Sequence, residues 1–172
     1  MALLIRERLV QSVKSYDILD ESGQPVYTTA GRSKGQFIVM GRQLHVYDLS
    51  GKEVAFLHEI FPNVFGKYEI ILQGQKRGMI KGKFSFFHPK YQVDYMGYTV
   101  KGDILGMHYQ MYRHERMVAT MAMQAFRLGT MMTLTCENKE DELPSLMLAI
   151  AIDDIGAGGR GTWSFGVGPF NF

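Results

Sequence analysis

The sequence has little cysteine and no long apolar run, and both shortages narrow the class of protein. The single Cys136 cannot form an intramolecular disulfide, which favours a reducing compartment such as the cytosol. No segment approaches the roughly 20 apolar residues of a membrane-spanning helix. The apolar N-terminal run is interrupted at Arg6, too early for a secretory signal peptide. We therefore expect a soluble, cytoplasmic protein without a transmembrane segment.

The sequence also lacks the patterns of catalysis, cofactor binding and metal binding. It has no G-x-S-x-G nucleophile elbow, and the G-x-G-x-x-G match at residues 156–161 follows a predicted helix instead of opening one. The net charge of +2 is too small to favour nucleic acid as a partner. We expect no enzyme, cofactor, metal or nucleic acid. Strand alternation could still bring His45, His58 and His108 together, which keeps a histidine-based enzyme as an alternative.

Short runs of strand-forming residues, separated by polar turns, occupy most of the chain. The segments "SYDILDESGQPVYTTAG" and "RQLHVYDLSGKEVAFLHEI" each contain two such runs around a Ser-Gly turn. The two segments share a repeated Tyr-Asp pair, in which Tyr16-Asp17 corresponds to Tyr47-Asp48. With further strands near Leu3 to Leu9 and Phe37 to Met40, and a last one in "TMMTLTCEN", the sequence predicts about twelve strands.

One helix is predicted after the strands, over residues 144–155, with Pro144 in its first turn and Gly156 as its stop. Residues 146–152 are all apolar, and a helix that is apolar on every side must be buried on every side. A closed sheet wrapped around the helix meets that requirement. We expect Asp153 and Asp154 to reach the mouth of this barrel and to meet water, backbone N–H groups or a basic side chain.

Several stretches together resemble the LURP-one-related family of the tubby-like and phospholipid-scramblase-like superfamily. They are "YDILDESGQPVY", "LHVYDLSGKEVAFLHEI", "KYEI", "GDILGMHYQMY" and "LMLAIAIDDI". The resemblance implies a mainly β fold, a closed antiparallel barrel of about twelve strands around a central hydrophobic α-helix. It would occupy residues 1–155 and leave residues 156–172 as a tail. Tubby proteins bind phosphoinositide head groups and scramblase-like relatives act at membranes, but no catalytic residue carries over from them.

A basic stretch over residues 67–101 suggests a site for anions. It holds seven Lys and Arg residues against only Glu69 and Asp94. An aromatic group, Phe84, Phe86 and Phe87, interrupts it, and this combination suits an anionic membrane surface. The alternative is a solvated outer face with Phe84 and Phe86 turned into the core. The candidate lipid-binding or anion-binding residues are Lys76, Arg77, Lys81, Lys83 and Lys90.

The tail suggests a second way to interact. Residues 156–172 contain six glycines and four aromatic residues, which fits either a flexible segment or contact with another subunit. The candidates for self-association are Trp163, Phe165, Phe170 and Phe172. We therefore predict a non-catalytic binding module that contacts an anionic lipid surface, peripherally at the membrane, or a protein partner. The alternative is a structural protein that assembles into a homo-oligomer through its tail.

Overall fold

Twelve antiparallel strands form one sheet in the computed structural model. The structure describes residues 1–10, 13–32, 41–62, 64–83, 90–103, 107–126 and 129–161. The strands are β1 (Ala2–Val10), β2 (Val13–Asp20), β3 (Pro25–Arg32), β4 (Gln43–Tyr47), β5 (Glu53–Glu59), β6 (Lys67–Leu72), β7 (Gln75–Lys83), β8 (Lys90–Tyr95), β9 (Tyr98–Gly102), β10 (His108–Arg113), β11 (Arg116–Phe126) and β12 (Gly129–Cys136). A 3-10 turn, Lys139–Asp141, leads into the helix α1, Glu142–Gly161. The strand predicted near Phe37 to Met40 lies outside the described residues.

The sheet curls into a nearly closed barrel. Its strand order runs from β8 down to β1 and then from β12 back to β9, so the β1–β12 ladder joins the two halves. The end strands β8 and β9 follow each other in sequence, but no ladder joins them within the described part of the chain. Side chains span this seam instead. The rings of Tyr95 and Tyr98 lie 5.5 Å apart, and the hydroxyls of Tyr91 and Tyr109 are 3.3 Å apart.

The helix α1 lies inside this barrel, as its uniform apolar character predicts. Every residue from Leu146 to Ile152 is at most 1% exposed. The strands alternate buried and partly exposed residues, as in β6, so one face of each strand packs towards the interior. The predicted fold class is confirmed. The small residues Ala149 and Ala151 are fully buried in the middle of the helix, where a larger side chain would have to displace the wall.

The predicted helix end is wrong, because α1 continues through Gly156 to Gly161. A glycine permits the left-handed conformation that ends many helices but does not impose it. Here the barrel holds the preceding turn. Asp153 and Asp154 bind wall residues, and a Cβ atom at Gly66 would lie 3.0 Å from Cγ1 of Ile155. These contacts hold the helical turn that precedes Gly156.

The two hairpins that share the Tyr-Asp repeat are equivalent at other residues than Tyr16-Asp17 and Tyr47-Asp48. In both hairpins the equivalent residue is the aspartate that opens the turn, which makes Asp20 the counterpart of Asp48. Oδ1 of Asp20 accepts hydrogen bonds from Ser22 and Gln24, and Oδ1 of Asp48 accepts the same set from Ser50 and Lys52. These bonds, above all those from the serine hydroxyls, lower the pKa of both carboxyls. The repeat in the sequence therefore reflects the same aspartate-stabilised turn in both hairpins.

The burial of α1 predicts an unequal response of two leucines to the same truncation. Leu148 is 0% exposed and Leu49 is 67% exposed. We expect Leu148→Ala to lower the free energy of unfolding by about 2–5 kcal/mol, because it leaves a cavity inside the barrel. Leu49→Ala, the matched control, should change it by less than about 0.5 kcal/mol. Urea denaturation measures both, and equal losses would contradict a central helix.

Candidate functional site

The predicted basic residues come together on the outer face of three neighbouring strands. Lys81 and Lys83 are exposed and alternate with buried Ile80 and Gly82 along β7. Lys90 opens β8 and is also exposed. All five predicted cations are exposed. Lys67, at the start of β6, is partly exposed and is added to them as a sixth cation. We define the basic face as Lys67, Lys76, Arg77, Lys81, Lys83 and Lys90.

A β-bulge places two successive cations of β7 on the outside. The β6–β7 register shifts so that Ile70 is opposite Gly78 whereas Ile71 is opposite Lys76, which leaves Arg77 as the extra residue. In a regular strand, Lys76 and Arg77 would point to opposite faces, but at the bulge both are exposed. Both cations at the bulge are therefore accessible to solvent.

The basic face contains two pairs of like charges in direct cross-strand register. Lys67 is opposite Lys81, and Lys83 is opposite Lys90. Directly opposite like charges destabilise a sheet. The carboxylates on the same face do not sit opposite them, since Glu69 forms an ion pair with Lys76 and Asp94 is opposite Met79. The face therefore presents concentrated positive charge at four lysines.

An apolar loop that the sequence reasoning missed lies beside the basic face. The apolar loop, residues 61–62 and 64–66, lies between β5 and β6 and ends immediately before Lys67. Val64 is 84% exposed, Phe61 46% and Phe65 44%. The signal in the sequence was "FPNVF", three large apolar residues within a turn. The predicted aromatic group, Phe84, Phe86 and Phe87, lies outside the described residues.

The C-terminal half of α1 carries two buried carboxylates, and both have basic partners. Lys14 Nζ donates to Oδ2 of Asp153 over 2.5 Å, and Arg42 Nη1 donates to Oδ1 of Asp154 over 2.6 Å. Tyr16 and Tyr68 add hydroxyl donors to the same two residues. The predicted basic partners are confirmed.

Of the three partners expected for these carboxylates, the structure shows the basic side chain. Asp153 is 0% exposed and Asp154 6%, so both are shielded from bulk water. Oδ1 of Asp153 has no hydrogen-bond partner among the described atoms. The wall therefore supplies the charge compensation through Lys14 and Arg42.

The N-terminal end of the helix repeats this chemistry. Tyr98 donates to Asp141 over 2.9 Å, and Arg113 lies 3.1 Å from the same carboxylate. Glu142 accepts hydrogen bonds from Tyr27 and Lys139. Both carboxylates are at most 1% exposed. The helix is thus fixed to the wall at two levels by carboxylate, tyrosine and cation contacts.

The remaining candidates of the sequence take structural positions or lie outside the description. His45 stacks on Phe56 and contacts Glu53. Within the described ranges no three His, Cys, Asp or Glu side chains gather to hold a metal ion. The self-association candidates, Trp163, Phe165, Phe170 and Phe172, lie outside the described residues and stay predictions.

The nearly closed barrel of twelve strands around one helix places this chain among the tubby-like folds. The crystal structure of the Arabidopsis thaliana protein AT5G01750 matches with a TM-score of 0.55 and 16% identity, covering 90% of this chain and 91% of that chain, which shows the fold alone. The chain belongs to the LURP-one-related family, whose model matches residues 1–153. It is also similar to "Uncharacterized protein YxjI" of Bacillus subtilis (strain 168), with 22% identity over 151 residues, covering 88% of this chain and 91% of that protein.

The buried ion pair of Lys14 and Asp153 should contribute strongly to folding. The Lys14 side chain is 11% exposed and that of Asp153 is 0% exposed. We expect Lys14→Met to lower the free energy of unfolding by about 3 kcal/mol, because it leaves a buried carboxylate without its cation. Adding Asp153→Asn should recover part of that loss. Lys52→Met is the control at an exposed site, and a loss as large there would refute the assignment.

The buried tyrosines predict a loss of stability at alkaline pH. Burial raises the pKa of Tyr16 and Tyr68 above its usual range, and the charges of Asp153 and Asp154 raise it further. Unfolded tyrosine ionises near about pH 10, so this stabilisation is complete below that pH and is lost as the pH rises above it. Phenolate absorbance should show two classes of tyrosine, the late class appearing with unfolding. Ionisation of every tyrosine in the folded protein would contradict this.

Proposed function

We propose that this chain is a non-catalytic binding module whose basic face contacts an anionic membrane surface. We propose further that it acts in the cytoplasm, peripherally at the membrane. The single observation that carries the proposal is the cross-strand register of Lys67 with Lys81 and of Lys83 with Lys90. Without a bound ligand, the two lysines of each pair repel each other. An anion lying between the two members of a pair removes the repulsion and gains from both charges.

The layout of the basic face fits an extended surface better than one small ligand. From Lys76 to Lys83 the cations follow a single strand, a distance of roughly 20 Å at about 3.3 Å per residue. Lys67 and Lys90 widen the face to three strands. Each basic residue near an anionic bilayer contributes about 1 kcal/mol. Several such contributions add up to stable but salt-sensitive binding.

A protein partner with an acidic surface is the second candidate for the basic face, favoured by the same charges. It differs from a bilayer in its fixed stoichiometry and in requiring a matching shape. Binding to pure lipid vesicles therefore separates the two candidates.

Vesicle sedimentation tests the proposal with a pair of matched double variants. We expect the protein to sediment with vesicles of phosphatidylserine mixed into phosphatidylcholine and not with phosphatidylcholine alone. Lys81→Gln with Lys83→Gln removes one member of each like-charged pair. It should weaken binding about 30-fold, at about 1 kcal/mol for each lysine.

The control removes two cations from the turns at the other end of the barrel, through Lys52→Gln with Arg116→Gln. Arg116 is 68% exposed, and Lys52 lies in the exposed turn before β5. This control should bind like the unaltered protein. Equal binding to both kinds of vesicle, or equal weakening by both double variants, would overturn the proposal.

A further inference from the structure

The apolar loop, residues 61–62 and 64–66, exposes more apolar surface than its position between two strands requires. Val64 is 84% exposed, and Phe61 and Phe65 are each more than 40% exposed. Single exposed apolar residues are ordinary on protein surfaces. Three within five positions form a patch, and an apolar patch bordered by charge marks a contact site.

The base of the apolar loop is held firmly against the barrel. The backbone N–H of Ile60 donates to the carbonyl of Lys67 over 2.8 Å, and that of Gly82 donates to the carbonyl of Gly66 over 2.9 Å. Ile155 of the central helix packs against both glycines. A Cβ atom would lie 3.0 Å from it at Gly66 and 2.9 Å at Gly82. The exposure of the loop is thus supported by the core beneath it.

Four lysines of the basic face stand at the same end of the barrel as the apolar loop. Lys67 follows the loop directly and opens β6, Lys83 ends β7, and Lys90 opens β8. Lys81 is paired with Lys67 across the β6–β7 ladder. A flat anionic surface that touches the loop therefore also meets this row of ammonium groups.

We propose that the apolar loop inserts into the interfacial layer of an anionic phospholipid bilayer while the lysine row contacts the head groups. The inference rests on the proposed function and deepens it. A basic face alone would accept any extended polyanion, whereas an adjacent apolar loop selects a partner that offers negative charge above an apolar layer. Glycerophospholipids with anionic head groups have that layered chemistry.

A fluorescent label at position 64 reports insertion directly. Cys136 is only 3% exposed and burial raises the pKa of its thiol to about 11, so an added surface cysteine is labelled selectively. We expect an environment-sensitive dye on Val64→Cys to shift to the blue on phosphatidylserine-containing vesicles. Nitroxide-labelled lipids in the same vesicles should quench it.

Leu49→Cys is the matched labelling control. Leu49 is 67% exposed and lies in the turn before β5, whereas the apolar loop follows β5, so the two positions are at opposite ends of the barrel. The dye at position 49 should remain in water on the same vesicles. A shift at both positions would overturn insertion by the loop.

Substitution with aspartate separates insertion from simple attraction. Val64→Asp should weaken binding to the anionic vesicles about tenfold or more, the fold-change expected for losing one buried apolar side chain. It should also abolish the binding that survives at high salt. Leu49→Asp adds the same charge at the other end and should have little effect.

The outcomes distinguish the two proposals. If the unaltered protein binds anionic vesicles but Val64→Asp binds equally well and the dye at position 64 stays in water, insertion is overturned and the basic face stands. If the dye shifts equally on neutral vesicles, insertion stands and the role of the lysines is overturned. If the protein binds no vesicle, both are overturned.

Discussion

The contact on which the rest of the structure depends is the anchoring of buried helix carboxylates by the barrel wall. Asp153 and Asp154 lie inside the barrel, where an unpaired charge would cost several kcal/mol. Lys14 and Arg42 compensate them from β2 and from the residue before β4. An apolar helix in an apolar barrel could slide or rotate at little cost. These directional contacts, with those of Asp141 and Glu142 at the other end, fix its depth and rotation.

The position of the helix in turn affects which side chains are exposed on the outer surface of the barrel. Ile155 packs beneath Gly66 and Gly82, where the apolar loop meets the end of β7. The core thus supports the loop that carries exposed Val64. Because α1 fills the middle of the barrel, the proposed binding uses the outer surface. The outer surface carries residues that do not stabilise the fold, namely the opposed lysine pairs and the exposed phenylalanines.

Much of the fold could be predicted from the sequence, because its signals are local. The apolar run from Leu146 to Ile152 required a closed surrounding wall, and the strand turns were marked by Ser-Gly and Gly. The helix end could not be predicted, because a glycine permits a helix to stop without imposing it, and α1 continues past Gly156. The partners of Asp153 and Asp154 likewise depend on the positions of Lys14 and Arg42, more than a hundred residues earlier.

The candidate site was predictable only in part. The count of cations identified the basic face. The opposed lysine pairs arise from the cross-strand register, which depends on two strands together and cannot be predicted from either one alone. No membrane-spanning candidate occurs among the helices of the described chain. The feature missed was the apolar loop, since three apolar residues in "FPNVF" resemble core residues until the exposure of Val64 is known.

Hydrogen exchange with and without anionic vesicles tests the central claim most directly, namely that the interior holds the fold while one end of the outside does the binding. The account predicts slow exchange in residues 145–155 that vesicles leave unchanged, together with new protection in residues 61–66 and at the adjoining ends of β6, β7 and β8. Faster exchange of the helix on binding would mean that the interior opens to act. Protection confined to the opposite end of the barrel would contradict the account equally.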